Sequence, residues 1–234
     1  MSDRHVMLIT GASRSIGAYL TQYYLAKGFK VIGCSRHEST QNNENYRHFI
    51  LDISDEKKVK EMFVEISKNY GSLSVLINNA GMQSINHPLL TDYKTVQEVF
   101  AVNMFGPFLF CREAAKIMKK HNYGRIIHMS SIAVPLGTVG NSIYSASKAA
   151  LEQFSRVFAK EVAGYGIRIN VLGMSIVAES GMLKNISEKA KKLTLDNTII
   201  KEPISFEDIS HATDFFIAQK SNAVTGQTIY LGGV

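Results

Sequence analysis

Tyr144 and Lys148 stand four residues apart at the start of a segment whose core side reads Leu151, Phe154, Phe158. Spacing i, i+4 places a phenol and an ammonium on one face of a helix. Such a pair suits delivery of a proton to a carbonyl oxygen while a hydride reaches the carbonyl carbon. A phenol alone is a poor acid–base group near neutrality, its ordinary pKa being ~10. A neighbouring ammonium stabilises the phenolate and draws that value down. The same spacing recurs at Tyr23 and Lys27, read here as a surface accident on the first helix, so the pair alone is not specific. What sets Tyr144 apart is the upstream run Ile126-Ile127-His128-Met129-Ser130-Ser131. That run is an apolar strand pattern ending in hydroxyls, from which Ser131 can orient a carbonyl. Loop capping is the plainer reading of the two serines.

A second group of residues, Thr10-Gly11-Ala12-Ser13-Arg14-Ser15-Ile16-Gly17, joins the first strand pattern to the first helix pattern. A dinucleotide's pyrophosphate needs backbone N–H groups at a helix N-terminus, with small side chains or none in the way. Gly11 and Gly17 meet that need, and Ser13 and Ser15 add hydroxyl donors. The spacing is not G-x-G-x-x-G, and glycine turns also occur without nucleotides. Its place as the first strand-to-helix turn gives it weight. The second strand pattern ends in Ser35-Arg36-His37. An acidic residue there would accept from a ribose 2′-OH and favour NAD. Arg36, with Arg14 in the phosphate turn, instead favours the 2′-phosphate of NADP, because guanidinium forks match phosphate geometry. Two solvated arginines are the alternative.

These residues need a scaffold, and the hydrophobic pattern supplies one. Apolar runs at 6–10, 30–34, 48–51, 74–78, 125–129, 168–172 and 228–231 read as strands. Most are continuous rather than alternating, as expected of parallel strands covered on both faces. Between them lie helical stripes such as Val59, Met62, Phe63, Ile66, and Ile209, Ala212, Phe216 after Glu207-Asp208. Strand–helix alternation of this kind predicts an α/β fold: a doubly wound, Rossmann-type sheet of about seven parallel strands with helices on both faces. No repeat or linker breaks the chain, so residues 1–234 read as one domain. Segment 179–203 is helix-forming but strandless and follows the sixth strand. It reads equally as a substrate lid, with Met182, Leu183, Ile186 and Leu193 facing an apolar chain, or as a surface connection.

Of the 234 residues, 26 are Lys or Arg and 20 Asp or Glu, and 45% are hydrophobic, which excludes a disordered chain. The net charge of +6 permits an anionic partner. The basic clusters (Lys57-Lys58, Lys119-Lys120, 189–192) lie among glutamates in helical patterns without stacking aromatics, so they read as solvated faces and not as a nucleic-acid surface. No run approaches the ~18 apolar residues of a membrane span, and residues 6–10 are too short for a secretory signal core. Two cysteines in apolar segments, Cys34 and Cys111, form neither a disulfide framework nor a metal site and point to a reducing, cytoplasmic setting.

Taken in order, Thr10-Gly11 to Gly17, Asp52, Asn78-Asn79-Ala80-Gly81, Asn103, Ser131, Tyr144 with Lys148, Asn170 and Thr225-Gly226 resemble the short-chain dehydrogenase/reductase family in its single-domain form. The resemblance covers nearly the whole chain. It implies Tyr144 as proton donor, Lys148 as its partner and ribose ligand, Ser131 as carbonyl positioner, and Asn103 as support of a lysine–water relay. It also implies that Asp52 and Ile53 contact the adenine, that Asn79, Ala80 and Gly81 flank its ribose, and that Gly11 to Ile16 hold the phosphates. Ser175 and Val177 fall where the family holds the nicotinamide. Within the family, the Gly11-Ala12-Ser13-Arg14 start is most similar to 3-oxoacyl-acyl-carrier-protein reductases, which use NADPH and are usually tetrameric. A small carbonyl or alcohol substrate, carrier-bound or free, and a homo-oligomer (tetramer or dimer) built on helices near 103–121 and 144–164 are therefore expected. Phe108, Phe110, Phe154 and Phe158 are candidates for that contact or for the core. Three departures accompany the resemblance. Ser15 replaces the middle glycine of the phosphate turn, Met174-Ser175 replaces the usual Pro-Gly, with Glu179 in place of a threonine, and Leu231 leads directly into Gly232-Gly233. A non-catalytic NADP-binding sensor or scaffold is the competing reading, and a sugar-nucleotide epimerase is disfavoured because the chain lacks room for a substrate domain.

Overall fold

A computed structural model describes residues 6–178, 180–181 and 187–234. The apolar runs become one seven-stranded parallel sheet: β1 (Val6–Thr10), β2 (Lys30–Ser35), β3 (Tyr46–Ile50), β4 (Val75–Asn78), β5 (Gly124–Ser131), β6 (Ile167–Met174) and β7 (Thr228–Tyr230). Their spatial order is β3-β2-β1-β4-β5-β6-β7, every pair parallel. The order reverses between β1 and β4, and a crevice opens there at the strands' carboxyl ends.

The helices are α1 (Ser15–Ala26), α2 (Glu56–Tyr70), α3 (Tyr93–Phe100), α4 (Gly106–Lys120), the single turn α5 (Ala133–Leu136), α6 (Ser142–Val162), α7 (Glu188–Asp196) and α8 (Phe206–Ile217). Their stops and starts are written locally. Asp55 caps α2 by accepting from the Lys58 N–H, and left-handed Gly71 ends it. Ser205 and Asp208 cap α8 reciprocally. The stripe Val59, Met62, Phe63, Ile66 packs with α4 residues such as Phe110 and Ala114 on one face of the sheet. Leu20, Tyr24, Ile209 and Phe216 fill the other face. Phe110 is fully buried and so belongs to the core, not to an intersubunit contact.

Sequence and structure differ mainly at strand ends. Strand β3 covers Tyr46–Ile50 instead of 48–51; as an edge strand with half-exposed residues it lacks a continuous apolar run. Strands β5 and β6 run on to Ser131 and Met174, because Ser130 and Ser131 are still paired with Gly173 and Met174. Tyr23 and Lys27 are no accident of the surface. The Tyr23 hydroxyl donates to Asp214 over 2.7 Å, and Lys27 pairs with the same carboxylate, fastening α1 to α8.

Within 179–203, Glu179, Met182, Leu183 and Ile186 lie outside the described residues. Residues at its C-terminal end and on its flanks are tied to the fold. Ile199 and Ile200 donate their N–H groups to the Gly233 and Gly232 carbonyls, and Val177 bridges Ile204. Among the described residues no helix is long and apolar enough to cross a membrane.

Candidate active site

Two cavities occupy the crevice. The outer one, about 320 Å³, is lined by the turn after β1, the end of β2, and the residues after β3 and β4. Gly11, Ser13, Arg14, Ser15, Ile16, Gly17, Arg36, Asp52, Ile53, Asn79, Ala80 and Gly81 all face it. The inner one, about 190 Å³, is lined by Ser131, Tyr144, Lys148, Ser175 and Val177, among others. Ser15, Ile16, Asn79 and Gly81 border both, so one cleft runs from Arg36 to Tyr144. Every proposed binding residue lies on it. Leu51, Met82, Ile85, Val102, Val139 and Asn141, which carry no motif, also line it.

Close packing explains the glycines of the outer cavity. Gly11 is left-handed (φ +68), and a Cβ there would sit 3.0 Å from the Ala80 Cα. A Cβ on Gly17 would lie 2.1 Å from the Gly11 carbonyl oxygen. The backbone of the turn therefore lies open at the N-terminus of α1, the form an anionic diphosphate needs. Ser15 is left-handed (φ +51), and its hydroxyl accepts from the Gly181 N–H over 3.4 Å. Asp52 accepts from the Ser54 backbone and hydroxyl at 2.9 and 2.7 Å. Burial works to raise its carboxyl, but those bonds and the charges of Arg36 and Lys58 hold it below its ordinary value.

In the inner cavity, α6 carries Tyr144 and Lys148 on the face turned to β5, both buried. The ammonium donates to the Met129 carbonyl over 2.7 Å. Its pKa falls to about 8, because burial outweighs the support of the Glu152 carboxylate. Burial also raises the Tyr144 phenol, opposed by a hydrogen bond with Ser131. The expected downward pull of Lys148 is not what dominates here, since a neutral phenol is favoured wherever water is excluded.

Asn103 lies behind this pair, fully buried in a π-helical turn, Ala101–Phe105, between α3 and α4. It accepts from the Met82 N–H at 2.9 Å and donates to the Met82 carbonyl at 2.8 Å and to Ser147 at 2.9 Å. A Cβ on Gly81 would lie 3.6 Å from both Asn103 Oδ1 and Lys148 Nζ. The three residues thus converge on one point. Asn170 does not join them. It holds β6 to the loop before β7, donating to the Val224 carbonyl and accepting from the Gln227 N–H.

Ser130 and Ser131 divide their work. Both line the cavity, but the Ser130 hydroxyl is already taken: it donates to buried Glu152, whose other oxygen accepts from the Tyr230 hydroxyl at 2.7 Å. Met174 ends β6, and Ser175 is buried with a hydroxyl that has no hydrogen-bond partner among the described residues. Ser175 lines the cavity, so its hydroxyl is placed to meet a polar bound group. Gly232 is left-handed (φ +90), and a Cβ there would also lie 2.9 Å from that of Ser175, so the position favours glycine on both counts. The cradle of open turn backbone and this orphaned hydroxyl fit a dinucleotide with its nicotinamide end inward.

A doubly wound sheet with a glycine turn at its switch point and a buried Tyr–Lys pair at the far end of the cleft defines a dinucleotide-dependent oxidoreductase. The family model described as short chain dehydrogenase matches residues 5–191, and the chain belongs to that family. It is 31% identical to the 3-oxoacyl-[acyl-carrier-protein] reductase FabG of Buchnera aphidicola subsp. Schizaphis graminum, covering 99% of this chain and 97% of that one. Identity to the protein of the same name from Escherichia coli is 27%, over 97% and 96%. Among solved structures, ElxO with NADP bound superposes with a TM-score of 0.89 at 25% identity, over 97% of each chain.

Proposed function

We propose that this chain is an NADPH-dependent carbonyl reductase in which Tyr144 protonates the nascent alkoxide. The observation that carries the reading is the convergence of Tyr144, Ser131 and Lys148 on one buried cavity, at the end of a cleft whose entrance bears Arg14 and Arg36. When bound, the reduced nicotinamide supplies a hydride. Ser131 and the Tyr144 hydroxyl hold the carbonyl oxygen between them, and the phenol, kept protonated by burial, hands over its proton. Lys148 holds the nicotinamide ribose and stabilises the phenolate that remains, and Asn103 fixes the backbone around it. Arg36 and Arg14 receive the 2′-phosphate, while Gly11 to Ile16 bind the pyrophosphate.

A 3-oxoacyl thioester on an acyl-carrier protein is the substrate class to test first. The full-length relatives named for that reaction support it, as do Ile85 and Val139 lining the cavity mouth. The exposed α4 and α6 side chains support a homo-oligomer, and the two buried free thiols support a reducing cytoplasmic compartment.

The test is loss of reduced-nicotinamide absorbance when the purified protein meets an acetoacetyl thioester, free and carrier-bound, with NADPH or NADH. Turnover with NADPH preferred is the expected result. NADPH binding without turnover on thioesters and simple ketones would instead favour the sensor.

A further inference from the structure

We propose that His48 is the positioning residue for NADP recognition: one imidazole on the neighbouring strand pins both flanks of Arg36 and so aims its guanidinium at the adenosine 2′-phosphate. This rests on the NADP reading of the cleft. Arg36 is the first residue beyond β2, and Ser35, Arg36 and His37 all line the outer cavity. A long, flexible side chain reaches a fixed target only if its backbone origin is fixed. Ser35 closes the turn locally, its hydroxyl donating to the His37 carbonyl at 2.5 Å and accepting from the His37 N–H at 3.4 Å. His48 then ties that closed turn to β3. Its Nε2 lies 2.9 Å from the His37 carbonyl oxygen and 3.1 Å from the Ser35 hydroxyl.

Because a carbonyl only accepts, Nε2 carries the proton, and Nδ1 accepts from the Tyr46 hydroxyl at 2.7 Å. Burial, the largest influence on His48, lowers its pKa and keeps the ring neutral. Tyr46 reaches that place because Gly33 leaves room. A Cβ on Gly33 would sit 2.2 Å from the Tyr46 hydroxyl oxygen. Turn capping alone would need only Ser35. The Gly33–Tyr46–His48 arrangement adds an anchor from another strand, directed at the two residues that flank Arg36.

The experiment is fluorescence titration of the purified protein with NADPH and with NADH, in the wild type, Arg36→Ala, His48→Leu, His48→Gln and Tyr46→Phe. In His48→Leu, NADPH affinity should fall about tenfold while NADH affinity stays within about twofold. His48→Gln, whose amide can still donate to the His37 carbonyl, should recover most of the preference. Tyr46→Phe keeps the ring and removes only the donor to Nδ1, so it should give a smaller loss and serves if His48→Leu does not fold. An unchanged NADPH-to-NADH ratio in His48→Leu or in Tyr46→Phe, with both affinities intact or both reduced together, overturns the proposal. A wild type with no NADPH preference overturns the NADP reading and this inference with it. A preference lost in Arg36→Ala but kept in His48→Leu overturns the inference alone.

Discussion

Burial pushes Tyr144 and Lys148 toward their neutral forms, the phenol upward and the ammonium down to about 8. A phenol that keeps its proton suits the reducing direction, in which it must arrive as an acid. Tyr144→Phe should lower kcat by about 10²- to 10⁴-fold, the usual worth of a positioned acid, with NADPH affinity nearly unchanged. Stopped-flow turnover and a cofactor titration check the two halves. The Lys148 charge is present below pH about 8 and lost above it, so reduction should show an alkaline limb there. Glu152 supports the charged form. Glu152→Gln should therefore move that limb to lower pH in a pH profile of kcat/KM, and an unmoved limb would remove Glu152 from the account. Tyr144, Lys148 and Ser131 were legible because type and spacing express them along the chain. Glu152 was not, because its Tyr230 partner comes alongside only through the pairing of β6 with β7.

At the scale of elements, local irregularities set the site. The π-helical turn at Ala101–Phe105 rotates Asn103 inward, as such turns often do where side chains must be aimed. No periodicity in the sequence marks it. Asn103→Ala would remove both hydrogen bonds to the half-buried Met82 backbone, a loss of about 0.5–1.5 kcal/mol for each. A fall in denaturation midpoint together with lost turnover would be its signature. Ser15, the first residue of α1, is left-handed, which costs a non-glycine residue roughly 1–2 kcal/mol. Ser15→Gly should accordingly raise Tm by a few degrees, about 2–4 °C per kcal/mol for a chain of this size. Calorimetry that finds no gain would mean the Gly181 contact offsets the strain. The order of the elements was readable throughout, whereas the ends of β3, β5 and β6 were not, because polar termini and an edge position hide their pairing from hydropathy.

Across the whole molecule, some large apolar side chains stay at the surface. Phe105, Phe108 and Val157 are 55%, 41% and 43% exposed in the π turn, α4 and α6, which is costly surface to leave wet. Phe108→Asp with Val157→Asp should convert the expected tetramer or dimer into monomer by light scattering; a wild type that already sediments as a monomer would sink the oligomer. The fate of the four phenylalanines shows where patterning runs out: Phe110 is core and Phe108 half-exposed, yet both fall on one helical stretch.

The inner cavity is also held from the chain's far end. Gly232 packs on Ser175, Gly232 and Gly233 receive the N–H groups of Ile200 and Ile199, and Tyr230 grips Glu152. An engineer seeking new substrate tolerance in this scaffold thus has a lever remote from the acid–base chemistry: a side chain added at Gly232 would press on Ser175 and move the chamber's wall from behind.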